Sequence, residues 1–180
     1  LFTEMSGATA YSSLMLDHQA ALDDDSIESI MMVFDSPGGM VAGCDELGQA
    51  IFDGRKKKPT HAYVSGDACS AAYWLASSCE TITMSPSSVV GSIGVVIGIT
   101  DRRKAEESAG VKRIEVVSTQ SPDKRPDPTQ PDGRAKIQKL VDELGDVFVS
   151  AVARNRGVSV ETVLDKFGRG GVSVGANAVA

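Results

Sequence analysis

Two short segments hold the residues from which chemistry could be built. In Gly66-Asp67-Ala68-Cys69-Ser70-Ala71-Ala72-Tyr73-Trp74 a strand-like stretch turns over small residues, and an Ala-rich helix begins at or just after Ser70. A hydroxyl there faces free backbone N–H groups and the positive end of the helix dipole, both of which favour developing negative charge. The N–H of Ala71 can supply one half of an oxyanion hole. Taken alone, a serine in this place is more often a simple N-cap. The second segment, Ser36-Pro37-Gly38-Gly39, changes that weighing. It follows a short apolar run and precedes a helix, and the carboxyl ends of parallel strands are where sites form in open α/β sheets. Its two glycines let backbone N–H groups approach a ligand oxygen closely. Together the segments predict two N–H donors from two loops beside one serine, the layout of acyl-transfer chemistry.

A serine hydroxyl needs a neighbouring base. The chain has two histidines, His18 and His61, both ahead of Ser70. One falls in a predicted helix and the other at the start of a predicted strand, where core or surface duties are commoner. A lysine held neutral by burial is the other kind of base, since desolvation lowers its pKa by up to ~3–5 units in extreme cases.

Alternating strand and helix signals would position these groups. A helix is predicted from Thr9, as N-cap, to Leu22, burying Tyr11, Leu14, Met15 and Leu22. Residues 27–34 read as a buried parallel strand and residues 41–52 as a helix stopped by Gly54. Strands follow at 60–65 and 80–84, around the short helix 70–76. Residues 89–99 are apolar but broken by Gly91, Gly94 and Gly98. A helix over 101–109 leads to a strand over 111–117. The recurrence implies a mainly parallel α/β core. Residues 118–133 hold four of the seven prolines, Pro122, Pro126, Pro128 and Pro131, and form a long loop of functional rather than connecting character. Ile137, Leu140, Val141, Leu144, Val147, Phe148 and Val152 then recur at helical spacing, and Ser159 caps a shorter helix.

Composition narrows the function classes. With 180 residues, 42% hydrophobic and 23% charged, the chain reads as one globular domain over 1–180. The formal net charge of -6 argues against nucleic acid as a partner. Arg55 to Lys58 is the one basic run, read as a solvated turn. Cys44, Cys69 and Cys79 have neither metal-ligand spacing nor an even count, so a reduced compartment is the simplest reading. No metal or organic cofactor is indicated. No apolar run approaches the roughly 20 residues that span a bilayer. Leu1 and the acidic Glu4 do not open a signal peptide. An opening without Met and an ending in an apolar stretch read as truncation at both ends.

Asp35-Ser-Pro-Gly-Gly39, Ala68-Cys-Ser-Ala-Ala-Tyr73 and Gly91-Ser-Ile-Gly-Val-Val96, in that order, resemble the signature of the signal peptide peptidase A family, which includes phage capsid-assembly (prohead) proteases. The likeness extends to Gly170-Gly-Val-Ser-Val-Gly-Ala-Asn-Ala178, where the family's final Gly-Leu-Val-Asp-like element is absent. It implies a ClpP/crotonase-like fold of repeated β-β-α units. It also implies a serine endopeptidase with Ser70 as nucleophile, and an oxyanion hole from Ala71 and the glycine pair, Gly39 favoured over Gly38. The caseinolytic relatives of this fold draw their histidine from downstream of the serine, where this chain has none. The family instead places a lysine in a loop after the strand that follows Gly-Ser-Ile-Gly. Here that loop is Ser118-Thr-Gln-Ser-Pro-Asp-Lys-Arg125, so Lys124 is the implied base, although the loop is longer than the usual Ser-Gly-x-x-Lys. Ser118 or Ser121 could orient its amine, and Arg125 cannot replace it because it does not deprotonate. The implied substrate is an extended polypeptide, either a capsid scaffold protein or a signal peptide. The phage type is favoured by Ala-Ala-Tyr-Trp, the Ser-Pro-x-Lys loop and the lack of a membrane segment. A homo-oligomer is expected, in the cytoplasm of a bacterial host or inside a prohead, or at the membrane if the full-length chain carries an N-terminal anchor. Two readings compete: a crotonase-type acyl-CoA enzyme needing neither Ser70 nor Lys124, and a catalytically inactive assembly module.

Overall fold

Strand β2, Thr60–Cys69, organises the molecule. In the computed structural model, which describes residues 9–178, β2 pairs in parallel along one side with β1, Ile30–Ser36. Along its other side it pairs first with β3, Thr81–Met84, and then with β4, Val89–Gly91, both parallel. The antiparallel β5, Val172–Val174, completes a mixed five-stranded sheet from beyond β4. The molecule is therefore of the α/β class. Helices α1 (Tyr11–Asp23), α2 (Cys44–Gly54) and α3 (Ala71–Ser78) alternate with the first strands. Later come α4 (Arg103–Ser108), α5 (Pro131–Arg156), α6 (Val160–Lys166) and the four-residue α7 (Gly175–Ala178).

The described residues divide into two compact units, one of residues 9–94 and 145–178 and the other of residues 95–144. The first holds the sheet and the core. All eight residues of α3 are buried, including Tyr73, Trp74 and Leu75, so the helix that starts after Ser70 is enclosed on all sides. Trp74 stacks on Phe148 of α5 with ring centroids 4.5 Å apart and planes 9° from parallel. Buried Asn155 donates to the hydroxyls of Ser77 and Ser78 at 3.0 and 2.9 Å, fixing the other end of α3. We expect Phe148→Ala to lower unfolding free energy by about 3–5 kcal/mol, the cost of a large buried aromatic cavity. Urea unfolding measures it, and a change under about 1 kcal/mol, the size of a peripheral substitution, contradicts this placement.

Ser159 caps α6 as expected, its Oγ accepting the Thr162 N–H at 3.1 Å. Four expectations are corrected. Ala10, not Thr9, stands at the N-cap of α1, with no side-chain bond to the helix. Gly66 to Ala68, read as a turn, lies inside β2, where the register slips between Phe34↔Val64 and Ser36↔Ala68. The extra residues form a bulge, which keeps the strand paired while changing its direction. The basic run is a solvated turn only in part: Lys56 and Lys57 are exposed, but its two ends are used internally. Lys58 is buried and its ammonium donates to the carbonyls of Ala21 (2.8 Å) and Asp24 at the end of α1. Arg55 lies over the Phe52 ring and donates to the Cys79 carbonyl, while Lys56 and Lys57 pair with Asp53 and Asp23.

In the second unit, residues 111–117 do not form a strand. Alternating apolar residues satisfy their backbone as a strand only beside a partner, and this unit contains no other strand among the described residues. Val111, Ile114 and Val116 are exposed. The proline-rich segment holds one turn of 3₁₀ helix, Pro122–Lys124. Among the described residues, no helix is long and apolar enough to cross a membrane.

Candidate active site

Ser70 occupies the junction between β2 and α3 with φ 53° and ψ -125°, a conformation that non-glycine residues rarely adopt. Such strain persists only where the surroundings enforce it. Here the Ser70 N–H donates to the Gly91 carbonyl at 2.8 Å, and its carbonyl accepts the Trp74 N–H at 3.0 Å. The hydroxyl makes no capping bond to α3. Ser70 thus holds the N-cap position of α3 without its side chain serving as the cap. Its Oγ is left at the head of a buried helix, whose first-turn N–H groups, Ala71 among them, have no partner within the helix.

The Asp-Ser-Pro-Gly-Gly loop is folded against this serine by its own side chains. The Asp35 carboxylate accepts the Asp67 N–H at 3.2 Å across the β2 bulge. A Cβ on Gly66 would fall on that carboxylate, so any larger residue there would have to push the Asp35 side chain off the bulge. The Ser36 hydroxyl accepts the Gly38 N–H at 3.2 Å. Gly38 has φ +123°, and a Cβ on it would stand 2.7 Å from Ser70 Cβ and 3.2 Å from Ser70 Oγ. The loop backbone thus touches the serine side chain. With the Gly38 N–H bonded to Ser36, the Gly39 N–H is the one in this pair without an acceptor among the described residues. Gly38→Ala meets both the backbone strain and the Ser70 clash, so any hydrolysis that uses Ser70 should fall on the order of 10²-fold, as for a misplacement of about 1 Å. Steady-state kinetics with circular dichroism as the folding control checks this; a variant with unchanged kcat contradicts the contact.

The third motif, Gly91-Ser-Ile-Gly94, supports the serine from behind. Besides the Gly91 carbonyl bonded to Ser70, the Ser92 N–H donates to the Gly171 carbonyl at 2.7 Å. A Cβ on Gly91 would come within 2.6 Å of that same oxygen. The likeness at Gly170-Gly171 therefore has a physical basis, because that segment braces the strand holding Ser70.

Neither histidine serves this serine. His61 Nδ1 lies 2.8 Å from Thr81 Oγ1, and the nine residue steps from it to Ser70 along β2 span about 30 Å. His18 is buried, which lowers its pKa, and a Cβ on Gly54 would lie 2.7 Å from its ring. Gly54 ends α2, about 15 Å along that helix from Cys44, which touches Ala71. Cys69 is no rival nucleophile: burial, then the nearby Asp67, raises its thiol pKa. Lys124 belongs to the other unit, where it is exposed at the end of the 3₁₀ turn, its N–H bonded to the Ser121 carbonyl at 3.1 Å. Lys136, by contrast, is committed to Asp123 and Asp132.

A groove of about 940 Å³ runs past the glycine loop along β1, lined by Leu14, His18, Met32, Phe34, Gly39 and Ala72 among others. Among the described residues β1 pairs only with β2, so its other edge is open to a further strand. Sequence reasoning missed the bonds that hold the site together: Asp35 to Asp67, Ser36 to Gly38, and Gly91 to Ser70. It also missed the place of Tyr11, which it took only as a buried helix position. The Asp-Ser and Gly-Ser spellings of the motifs were the available signal; for Tyr11 there was none.

Comparison with known proteins adds a second line of information. The family model for peptidase family S49 matches residues 53–180, a span that includes Ser70 and Lys124. The chain is 32% identical over 162 residues to capsid assembly protease C of Escherichia phage lambda, covering 89% of this chain and 37% of that one. It is 31% identical over 163 residues to head-tail preconnector protein GP5 of Enterobacteria phage P21, covering 88% and 32%. Protease 4 of Haemophilus influenzae is 25% identical over 164 residues, covering 88% and 26%. The chain thus spans about a third of the length of these relatives.

Proposed function

The chain belongs to peptidase family S49, and from that premise we propose that it is a serine endopeptidase with Ser70 as nucleophile and Lys124 as general base. The observation that carries the proposal is Ser70 itself: strained, freed from capping, and in contact with a glycine loop that has an unpaired N–H. Ser70 Oγ attacks the peptide carbonyl carbon while its proton passes to the neutral amine of Lys124. The negative oxygen rests on the N–H groups of Gly39 and Ala71. The C–N bond then breaks, the departing amine taking the proton from the Lys124 ammonium, and water hydrolyses the acyl-serine by the same relay. A solvated lysine is ordinarily protonated near neutral pH, so the mechanism requires the amine to be desolvated in the working enzyme.

The substrate is an extended polypeptide added beside the open edge of β1, a mode supported by the groove along that edge. Similarity to a capsid assembly protease favours a phage scaffold-type protein over a signal peptide, and a prohead or host cytoplasm as the setting. The parallel pairing of β2 with β3 and then β4 supports a ClpP/crotonase-like stack of β-β-α units. Exposure of Val96, Ile114 and Val116 supports a homo-oligomer in which these side chains are covered. Treatment with a biotinylated fluorophosphonate tests the class of enzyme: one covalent adduct per chain is expected, whereas no adduct together with saturable acyl-CoA binding would replace the peptidase by a crotonase-type enzyme.

A further inference from the structure

Tyr11 opens α1 and reaches across to the glycine loop. Its hydroxyl donates to the Met40 carbonyl at 2.8 Å, one residue beyond Gly39. The same oxygen would lie 2.9 Å from a Cβ on Gly39, and the ring 3.1 Å from one on Gly43, so the loop wraps the tyrosine on two sides. Beside it lies the Cys44 thiol, fully buried, whose Sγ is 3.6 Å from the Ala71 carbonyl. Burial, then the neighbouring thiol, raises the Tyr11 pKa, and burial pushes Cys44 up to about 12. Both groups therefore stay protonated and keep donating. They join the two loops that bear the free N–H groups: Tyr11 holds the segment of Gly39, and Cys44 holds the residue Ala71.

We propose that Tyr11 is a positioning residue for the oxyanion hole, locking the Gly39–Met40 backbone so that the Gly39 N–H faces the oxygen above Ser70. The inference rests on the peptidase reading given above. Between Gly38, bonded to Ser36, and Cys44, whose N–H donates to the Val41 carbonyl, the loop has no other side-chain tie among the described residues. Glycine leaves this backbone free to rotate, so the Tyr11 hydroxyl is the restraint that selects one orientation. Such a role acts on the tetrahedral state, where the oxyanion exists, and little on substrate binding.

Tyr11→Phe keeps the ring against Gly43 and removes only the hydroxyl. With a peptide substrate cleaved by wild type, kcat should fall about tenfold or more while KM changes less than about threefold, a smaller loss than deleting a donor outright. A peptide aldehyde and the alcohol of the same sequence supply a readout that a general structural role does not move. Ser70 adds its O–H across the aldehyde C=O to give a tetrahedral adduct, whereas the alcohol only occupies the groove. Aldehyde inhibition should weaken about tenfold in Tyr11→Phe, with alcohol inhibition unchanged. Equal weakening of both, or an unchanged kcat, overturns the role of Tyr11 while leaving the peptidase intact. Absence of hydrolysis and of aldehyde inhibition in wild type instead overturns the peptidase reading and this inference with it.

Discussion

Ser70→Ala is expected to abolish fluorophosphonate labelling and to lower peptide hydrolysis by at least about 10⁴-fold, with the unfolding transition kept close to that of wild type. Loss of a serine nucleophile removes the whole covalent route, leaving only what binding and the oxyanion hole contribute over water. Stability should change little, because the hydroxyl makes no cap bond to α3. If anything, the strained φ of 53° remains as costly for alanine as for serine. The informative comparison is Ser92→Ala. Ser92 is the other serine with positive φ among the described residues, at 55°, and its N–H is bonded to the Gly171 carbonyl. Strain alone would make the two serines equivalent. Of the two, Ser70 alone lies against Gly38 and at the head of a buried helix. Labelling retained in Ser92→Ala and lost in Ser70→Ala is therefore the expected pair, and the reverse pair would move the nucleophile to the Gly-Ser-Ile-Gly motif.

The site was legible in the sequence where its geometry is local. A serine between a strand and an Ala-rich helix, and a Ser-Pro-Gly-Gly turn before another helix, each specify their own backbone within about five residues. The structure keeps both at the carboxyl ends of adjacent parallel strands. What was not legible depends on side chains meeting across long separations. Gly66 to Ala68 looks like a turn because the residues are small, yet in the folded chain the Asp35 carboxylate occupies the place of a Cβ on Gly66. Lys58 belongs to a run of four basic residues that by charge alone should be solvated, but its ammonium reaches the carbonyls that end α1. Tyr11 and Met40 are 29 residues apart, and no periodicity links them. Residues 111–117 show the converse failure. Their apolar alternation is that of a strand, and strand formation is a property of a pair of segments, which no single segment can announce.

The base is the second large effect, and it follows from charge rather than from shape. Removing a general base costs about 10²–10⁴-fold in rate, so Lys124→Ala should lose activity on that scale while Ser70, its loops and the fold persist. Lys124→Arg should be as inactive, since a guanidinium cannot give up its proton to become a base. Lys124→Cys gives a direct chemical test. Its thiolate displaces bromide from 2-bromoethylamine, forming a thioether one atom different from lysine with the amine restored. Cys44, Cys69 and Cys79 are all buried, so the new exposed thiol reacts first. Recovery of hydrolysis on alkylation, with none in alkylated Lys124→Ala, is the expected result. Full activity in unalkylated Lys124→Ala would remove Lys124 as the base and leave Ser70 activated by its helix and by a partner other than either histidine.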